Sequence, residues 1–579
     1  MRKKTTFIIL ALTVVGMALT AGNLAKAEFD DVIPFIYGEH TSPPGFDPNN
    51  FYDTTSSDIA INHLEGLYMF NYTDPNLGQV PRLAEDMGSW SADGTEWTIP
   101  LRDDVLWHDG SAFTAADVKW NWDRLNYLAN EHLSQHASLW FNDDGDLMLS
   151  ETVVVDDHTV KFVLTKEWKD FEMLQSFAGC FMIKPIPGKE EVLIGNDEYD
   201  TLIGTGPFVL DDFVSGEKTV FVANNDYYRG APDIQKLIFQ IYASSTASNN
   251  ALMAHECHVD GYVRPDNRMA FNMDVDLEYF IAGGSCCYFY HLNVNNIDLA
   301  VRKAMQYAFN YEYTSTILYD NNMVEHHSPV PDGMIGYNPD LAGLPYYDIE
   351  VARQYLIDDP VYGPLVTARI ANISDDQDWK DCAASNPLAT HNFTHYGTGS
   401  WAQLIDNMEY IGVKIVDNVV GDWGAFLSSN LDDLEVVMGG WCPDYWHPIN
   451  QIEPLFGTNA SANYNGLADP AIDTLMGEAH TVTGAELEAK IDEILTAILV
   501  EKAAAMYWAQ NLNVIGWSAK YVSNVDDLFN AGGDKYFYNI QFALSEGPDV
   551  NPGIPGFTMI SLVLSALGAV AFLFYKKRN

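Results

Sequence analysis

The feature that most constrains this chain is a change of hydrophobic period inside one continuous stretch, EWTIPLRDDVLWHDGSAFTAADVKWNWDRL, residues 96–125. Its first part reads as an extended segment, then a second short strand closed by the Asp109-Gly110 turn. From Thr114 the period changes. Thr114 is placed to cap a helix, Asp117 to reach back to it, and Val118, Trp122 and Leu125 fall on one apolar face. The alternation returns downstream. DLAVRKAMQYAFN, residues 298–310, predicts a helix capped at Asp298 with Val301, Ala304, Met305, Ala308 and Phe309 in one stripe. The longest helix is expected to begin near Ala485, with Leu487, Ile491, Ile494, Leu495 and Ile498 on one side. Strand-like and helix-like segments in alternation predict an α/β architecture. No fixed-period repeat marks a solenoid, and no low-complexity linker divides the 579 residues, so domain boundaries are expected to be discontinuous in sequence.

Both ends carry targeting patterns. Residues 1–27 have a basic start at Arg2–Lys4, an apolar run from Phe7, and Ala25-Lys26-Ala27 as a cleavage site, the pattern of a secretory signal peptide. No cysteine follows the apolar run, so no lipid anchor is indicated there. After a linker, 547–556, residues 557–575 carry no charge and are long enough to cross a bilayer as a helix. Lys576, Lys577 and Arg578 follow, which leaves the tail's end in the cytoplasm and the body outside. The segment resembles the Pro-Gly-Phe carboxy-terminal anchors of archaeal surface proteins. The expected location is the extracellular face of the cell membrane. Cys180, Cys257, Cys286, Cys287, Cys382 and Cys442 then sit where disulfides persist, and six cysteines allow 15 pairings. Asn71, Asn372, Asn392 and Asn459 open N-glycosylation triplets, which are compatible with that location.

The charge narrows the partners. Eighty acids against 31 bases give a formal net charge of -49, which repels phosphate backbones and argues against nucleic acid and against anionic lipid at the domain surface. It reads first as a solvated acidic surface and says little about the ligand. The familiar catalytic signatures are missing: no Gly-x-Ser-x-Gly, no His-Glu-x-x-His, no phosphate loop. GTGPF, 204–208, lacks the lysine and spacing of a phosphate cradle and reads as a tight turn entering a strand from Phe208 to Phe213. HECH, 255–258, gathers metal-ligand types, but no second cluster completes a site, so a helix end is the expected reading and no metal or cofactor is assigned. His326-His327 is weaker, since neighbours point to different faces.

One further stretch stands out: GGWCPDYWHPINQIEPLF, 439–456, which sets Trp441, Tyr445 and Trp446 around Asp444. Rings beside a lone acid suit a hydrophobic plug, a sugar platform, a catalytic acid's cage, or a seat for a cationic ligand.

Taken together, PPGFDPNN (43–50), NHLEGLYMFN (62–71), residues 81–125, GTGPFVL, NNDYYRGAPDIQKLIFQIY (224–242) and NVNNIDLAVRKAMQYAFN (293–310) resemble one family in order and spacing. It is the extracytoplasmic solute-binding proteins of ABC importers in the oligopeptide, dipeptide and nickel class, family 5. The resemblance implies a two-lobed hinged α/β fold of the periplasmic-binding-protein kind, with an additional subdomain and the ligand buried between the lobes. Carried over, lobe one holds 28–77, 204–285 and 510–546, the additional subdomain 78–203, and lobe two 286–509. Trp441-Cys442-Pro443-Asp444-Tyr445 is similar to the Trp-Cys-Ala-Asp-Tyr of the family's oligopeptide binders, with Pro443 in place of the small residue. There the aspartate pairs with the ligand's α-ammonium and the cysteine bonds a Cys before a Tyr-rich strand. SCCYFYHLN, 285–293, resembles that strand, which implies a Cys286–Cys442 disulfide, and Glu65 is implied to line the same cleft.

The expected function is therefore capture of oligopeptides by a monomer for an ABC permease, without catalysis. An oligosaccharide stacked on Trp441, Tyr445 and Trp446 is the alternative. A hydrolase using Asp444 as acid is the rival from another class, and it lacks an assignable second carboxylate.

Overall fold

The computed structural model describes residues 32–543, apart from 72–77, 143–144, 320–321, 397–400, 421–425, 427–432, 461, 526–527 and 529–534. The signal and anchor patterns and the 547–556 linker lie outside the described residues.

The extended segments form an eleven-stranded mixed sheet in two halves. One half runs Val259–Asp260, Phe35–Glu39, Lys236–Ile241, Lys218–Ala223, Phe208–Val214; the other runs Val413–Val420, Ala389–Tyr396, Val436–Trp441. Two long antiparallel strands, Leu277–Leu292 and Ala505–Ser518, join them. Their ladder runs from Leu277↔Ser518 to Gly283↔Leu512, shifts register, and resumes at Cys287↔Gln510. Glycine is required inside that shift: a Cβ on Gly284 would stand 2.1 Å from Asn511 Oδ1, the atom that accepts from the Cys286 amide at 2.9 Å. Each half covers its own apolar core, with Phe35, Phe221 and Phe239 under the first and Val301, Phe393 and Trp508 under the second. This is a two-lobed α/β fold.

A separate antiparallel sheet of Ser89–Trp90, Glu96–Pro100, Thr159–Leu164 and Leu149–Asp156 takes one strand, Glu96–Pro100, from the stretch where the period changes. Helix Ala115–Asn130 lies on it with Val118, Trp122 and Leu125 buried, and Asp117 Oδ2 accepts from Thr114 N at 2.8 Å and Oγ1 at 3.1 Å. The expected second strand shrinks to one bridge, Leu106↔Ala112, around a turn where Gly110 has φ 83°. The same helix buries Arg124, which binds Asp47 through two bonds of 2.9 and 2.6 Å and so fastens the FDPNN opening to this unit. Its apolar core is continuous with Tyr445, Trp446, Ile449, Ile491 and Ile494.

Three local expectations change. Asp298 is the N-cap residue of helix Leu299–Ala308, its carbonyl accepting from Arg302 N at 3.0 Å, but its carboxylate makes no capping bond and accepts from the Tyr362 hydroxyl at 2.8 Å. The helix from Ala485 ends at Leu495 and continues as a π-helix, Thr496–Glu501, so the 16-residue helix Ala115–Asn130 is the longest α-helix described. Gly204 and Gly206 serve close approach rather than a tight turn: a Cβ on either would stand 2.1 or 2.7 Å from the His63 carbonyl oxygen.

Candidate functional site

Strand Val436–Trp441 pairs antiparallel with Leu277–Leu292 and sets Trp441 opposite Cys287. One step further along both chains Cys442 faces Cys286, and the two are joined in a disulfide with Cα atoms 4.1 Å apart. Cys180, Cys257, Cys287 and Cys382 are buried free thiols. Pro443 and Pro448 keep the loop that follows out of both ladder and helix. Helix Pro448–Phe456 then starts with proline in its first turn and His447 at its N-cap.

The loop is shaped by side-chain ties. Trp441 Nε1 donates to the Asn450 carbonyl at 2.9 Å. Asp444 N donates to Asn450 Oδ1 at 2.7 Å, and Asn450 Nδ2 returns to Asp444 Oδ2 at 2.9 Å. The Tyr52 hydroxyl also hydrogen-bonds the Asp444 carboxylate, from the opening segment of the chain. Burial pushes this carboxyl up to about 6, against the Asn450 and Tyr52 bonds that lower it. No Lys, Arg or His pairs with it among the described residues. Tyr52 itself is 40% exposed, with the Phe177 ring 6.4 Å and the His136 ring 6.2 Å away.

The three rings beside Asp444 are not presented alike. Trp441 is half-buried, whereas Tyr445 is 7% and Trp446 5% exposed, both inside the apolar core. Two of the three faces expected to stack on a sugar are therefore occupied by protein. The Tyr445 hydroxyl donates to Asp170 Oδ2 at 2.9 Å. The same oxygen accepts from His480 Nδ1 at 2.9 Å, and His480 Nε2 faces Glu453 Oε2 at 3.0 Å.

Glu65 has partners of its own. Its two oxygens accept from the hydroxyls of Tyr227 at 2.7 Å, Tyr228 at 3.0 Å and Thr205 at 2.9 Å. Burial raises its carboxyl, while Tyr227, the Arg82 charge, Thr205 and Tyr228 pull the other way. Sequence reasoning missed Tyr52, Asn450 and Asp170. Asn450 stood in the quoted stretch without a distinguishing pattern, and Asp170 is 275 residues from its partner Tyr445.

With this geometry in hand, the comparisons with known proteins decide the family. The model of the bacterial extracellular solute-binding proteins, family 5 Middle, matches residues 78–463. The chain belongs to this family. Among family 5 relatives, the dipeptide-binding protein of Escherichia coli (strain K12) is 26% identical over 537 residues, 88% of this chain and 94% of that protein. The heme-binding protein A of Haemophilus influenzae is 24% identical over 525 residues, 85% of this chain and 91% of that protein. Among solved structures, NikA from Brucella suis in complex with Fe(III)-EDTA superposes with a TM-score of 0.73 at 19% identity, over 88% of this chain and 100% of that one. The fold of this family 5 protein is thus that of periplasmic binding proteins.

The two histidines of the HECH segment have separate partners. It follows helix Ser245–Met253, and His255 Nδ1 meets Ser518 Oγ at 2.8 Å while His258 Nδ1 accepts from Ile36 N at 2.8 Å. His326 and His327 also part, to the Val330 carbonyl and to Glu325. Among the described residues no group of three or more His, Cys, Asp or Glu is placed to hold a metal.

Proposed function

We propose that this family 5 protein captures peptides outside the membrane for an ABC importer and grips them by the free α-ammonium at Asp444. The observation that carries the reading is the half-buried Asp444 carboxylate, raised to about 6 and met only by an amide and a phenol among the described residues. A buried carboxylate without a cation is costly, and a ligand ammonium supplies both the charge and a strong hydrogen bond. The printed names of relatives in E. coli, a dipeptide-binding protein and a periplasmic oligopeptide-binding protein, support a peptide ligand.

In this reading the protein acts by binding alone, as a monomer that opens, binds, closes, docks on the permease and releases. Its lobe one would hold 28–77, 204–285 and 510–546, its additional subdomain 78–203 and its lobe two 286–509; the boundaries at 285/286 and 509/510 are supported by the register shift between Gly283↔Leu512 and Cys287↔Gln510. Export by residues 1–27 and tethering by 557–575 are supported by the sequence pattern of those segments.

The test is titration with free-amine peptides and their N-acetylated forms, beside mass spectrometry of the ligand that co-purifies. Acetylation is expected to weaken binding at least about 30-fold, the effect of leaving a charged partner unpaired. Equal affinity for both forms, or a co-purified glycan in place of peptide, rejects the reading.

A further inference from the structure

Loop 442–447 has no regular structure of its own, so the direction in which it holds Asp444 depends on its ties. The disulfide to Cys286 and the bonds to Asn450 come from the strand paired with the one before the loop and from the helix after it. Two ties come from elsewhere: the Tyr52 hydroxyl on Asp444 itself, and one at the residue next to it. The Tyr445 hydroxyl donates to Asp170 Oδ2, on the segment that follows strand Thr159–Leu164 of the four-stranded unit.

That acceptor is itself fixed. Asp170 and His480 are both 1% exposed at their side chains, and the two ring nitrogens of His480 face two carboxylates, those of Asp170 and Glu453. Carboxylates accept only, so both nitrogens donate and the ring is an imidazolium. Burial opposes that charge, and the Asp170 and Glu453 carboxylates override it, pushing the ring up to about 10. The Trp168 ring stacks on His480 with centroids 3.8 Å apart, and Lys169 N donates to the His480 carbonyl at 3.0 Å. Glu453 lies on helix Pro448–Phe456, one turn beyond Asn450, so the chain of bonds returns to the residue that holds Asp444.

We propose that Asp170 is a positioning residue of the ligand site: through Tyr445 on one side and His480–Glu453 on the other, it holds Asp444 and Asn450 in one orientation toward the ligand. The four-stranded unit thereby takes part in recognition without touching the ligand. This rests on the reading of Asp444 as the ammonium seat, and the experiment has one arm that does not.

In the ligand-free full chain, hydrogen exchange is followed at residues 442–446 in wild type, Tyr445→Phe and Asp170→Asn. The Asp444 amide is expected to exchange about tenfold faster in both variants, the effect of losing roughly one hydrogen bond, with the disulfide intact and the melting profile of Tyr445→Phe near wild type. Unchanged exchange at 442–446 overturns the proposal whatever the ligand is. A second arm measures retention of a mixed peptide pool, free-amine and N-acetylated. Both variants should retain free-amine peptides about tenfold less well and acetylated ones as before, and the double variant should lose no more than the worse single one. Additive losses, or equal losses for both pools, would mean that Asp170 and Tyr445 serve stability alone. A wild-type protein that ignores acetylation rejects the ammonium reading instead, and the exchange arm still decides the role of Asp170.

Discussion

Glu65 and Asp444 invite comparison, because both are carboxylates that burial raises and both are drawn toward the ligand cleft by family resemblance. They differ in what meets them. Glu65 is enclosed by three hydroxyls and the Arg82 charge, and each of its oxygens has a donor at 3.0 Å or less. Asp444 has an amide, a phenol and no cation among the described residues. Burial alone therefore does not mark a ligand seat. A carboxylate already saturated by neutral donors braces the fold, and one left short of positive charge is open to a ligand.

The sharpest test of the difference is Asp444→Asn, expected to weaken free-amine peptides by about 2–5 kcal/mol in calorimetric titration while leaving acetylated ones unchanged. Its pH counterpart follows from the raised carboxyl. Below about pH 6 Asp444 must lose a proton to accept an ammonium, so wild-type affinity should be flat above that value and fall up to tenfold per unit beneath it. A flat profile down to pH 4.5 would separate Asp444 from ligand charge. Glu65→Ala should do the reverse of Asp444→Asn. It leaves three buried hydroxyls without their acceptor and should cost about 2–3 kcal/mol in denaturant melts, with the preference for free amines intact.

Asp444→Asn should also stabilise the ligand-free protein. A carboxyl raised by folding contributes most below its unfolded value near 3.8 and loses that contribution as pH rises through about 6. The gain should be about 1–3 kcal/mol at pH 7.5 and vanish at pH 3.5. Equal stability at both pH values would show that folding does not raise the Asp444 carboxyl. The smallest effect is expected from Tyr52→Phe, which removes a donor that an ammonium must share or displace. Peptide affinity should rise by about 0.5–1.5 kcal/mol, and a fall of that size would instead make the phenol part of the ligand's grip.

What the sequence disclosed follows the range of each interaction. Helix Ala115–Asn130 was legible because its cap, Thr114 with Asp117, and its stripe, Val118, Trp122 and Leu125, are all local. Asp298 was legible as the N-cap position but not in the use of its side chain, because a distant hydroxyl, Tyr362, takes the carboxylate that local rules assign to the helix amides. The Arg124–Asp47 pair and the Tyr445–Asp170 bond join residues 77 and 275 apart, and nothing in either neighbourhood announces the other. The disulfide was reached through family resemblance, since cysteine counting leaves 15 pairings open. Of the stretch around Asp444, sequence gave the rings and the acid. Which rings face inward depends on a core assembled from segments far apart, and only Trp441 keeps a partly free face.

The break in the long two-strand ribbon has a mechanical meaning. Ladder hydrogen bonds resist bending wherever they run unbroken, so flexure between the lobes concentrates where pairing lapses, from Gly283 to Cys287. Cys286 lies at the lobe-two edge of that lapse, and Cys442, to which it is bonded, lies wholly beyond it. The covalent link therefore lies on one side of the lapse and does not span it. Flexure at the lapse would leave the bond between Cys286 and the root of the loop that carries Asp444 intact, and would act instead on the ties that reach the loop from Asp170 and Tyr52.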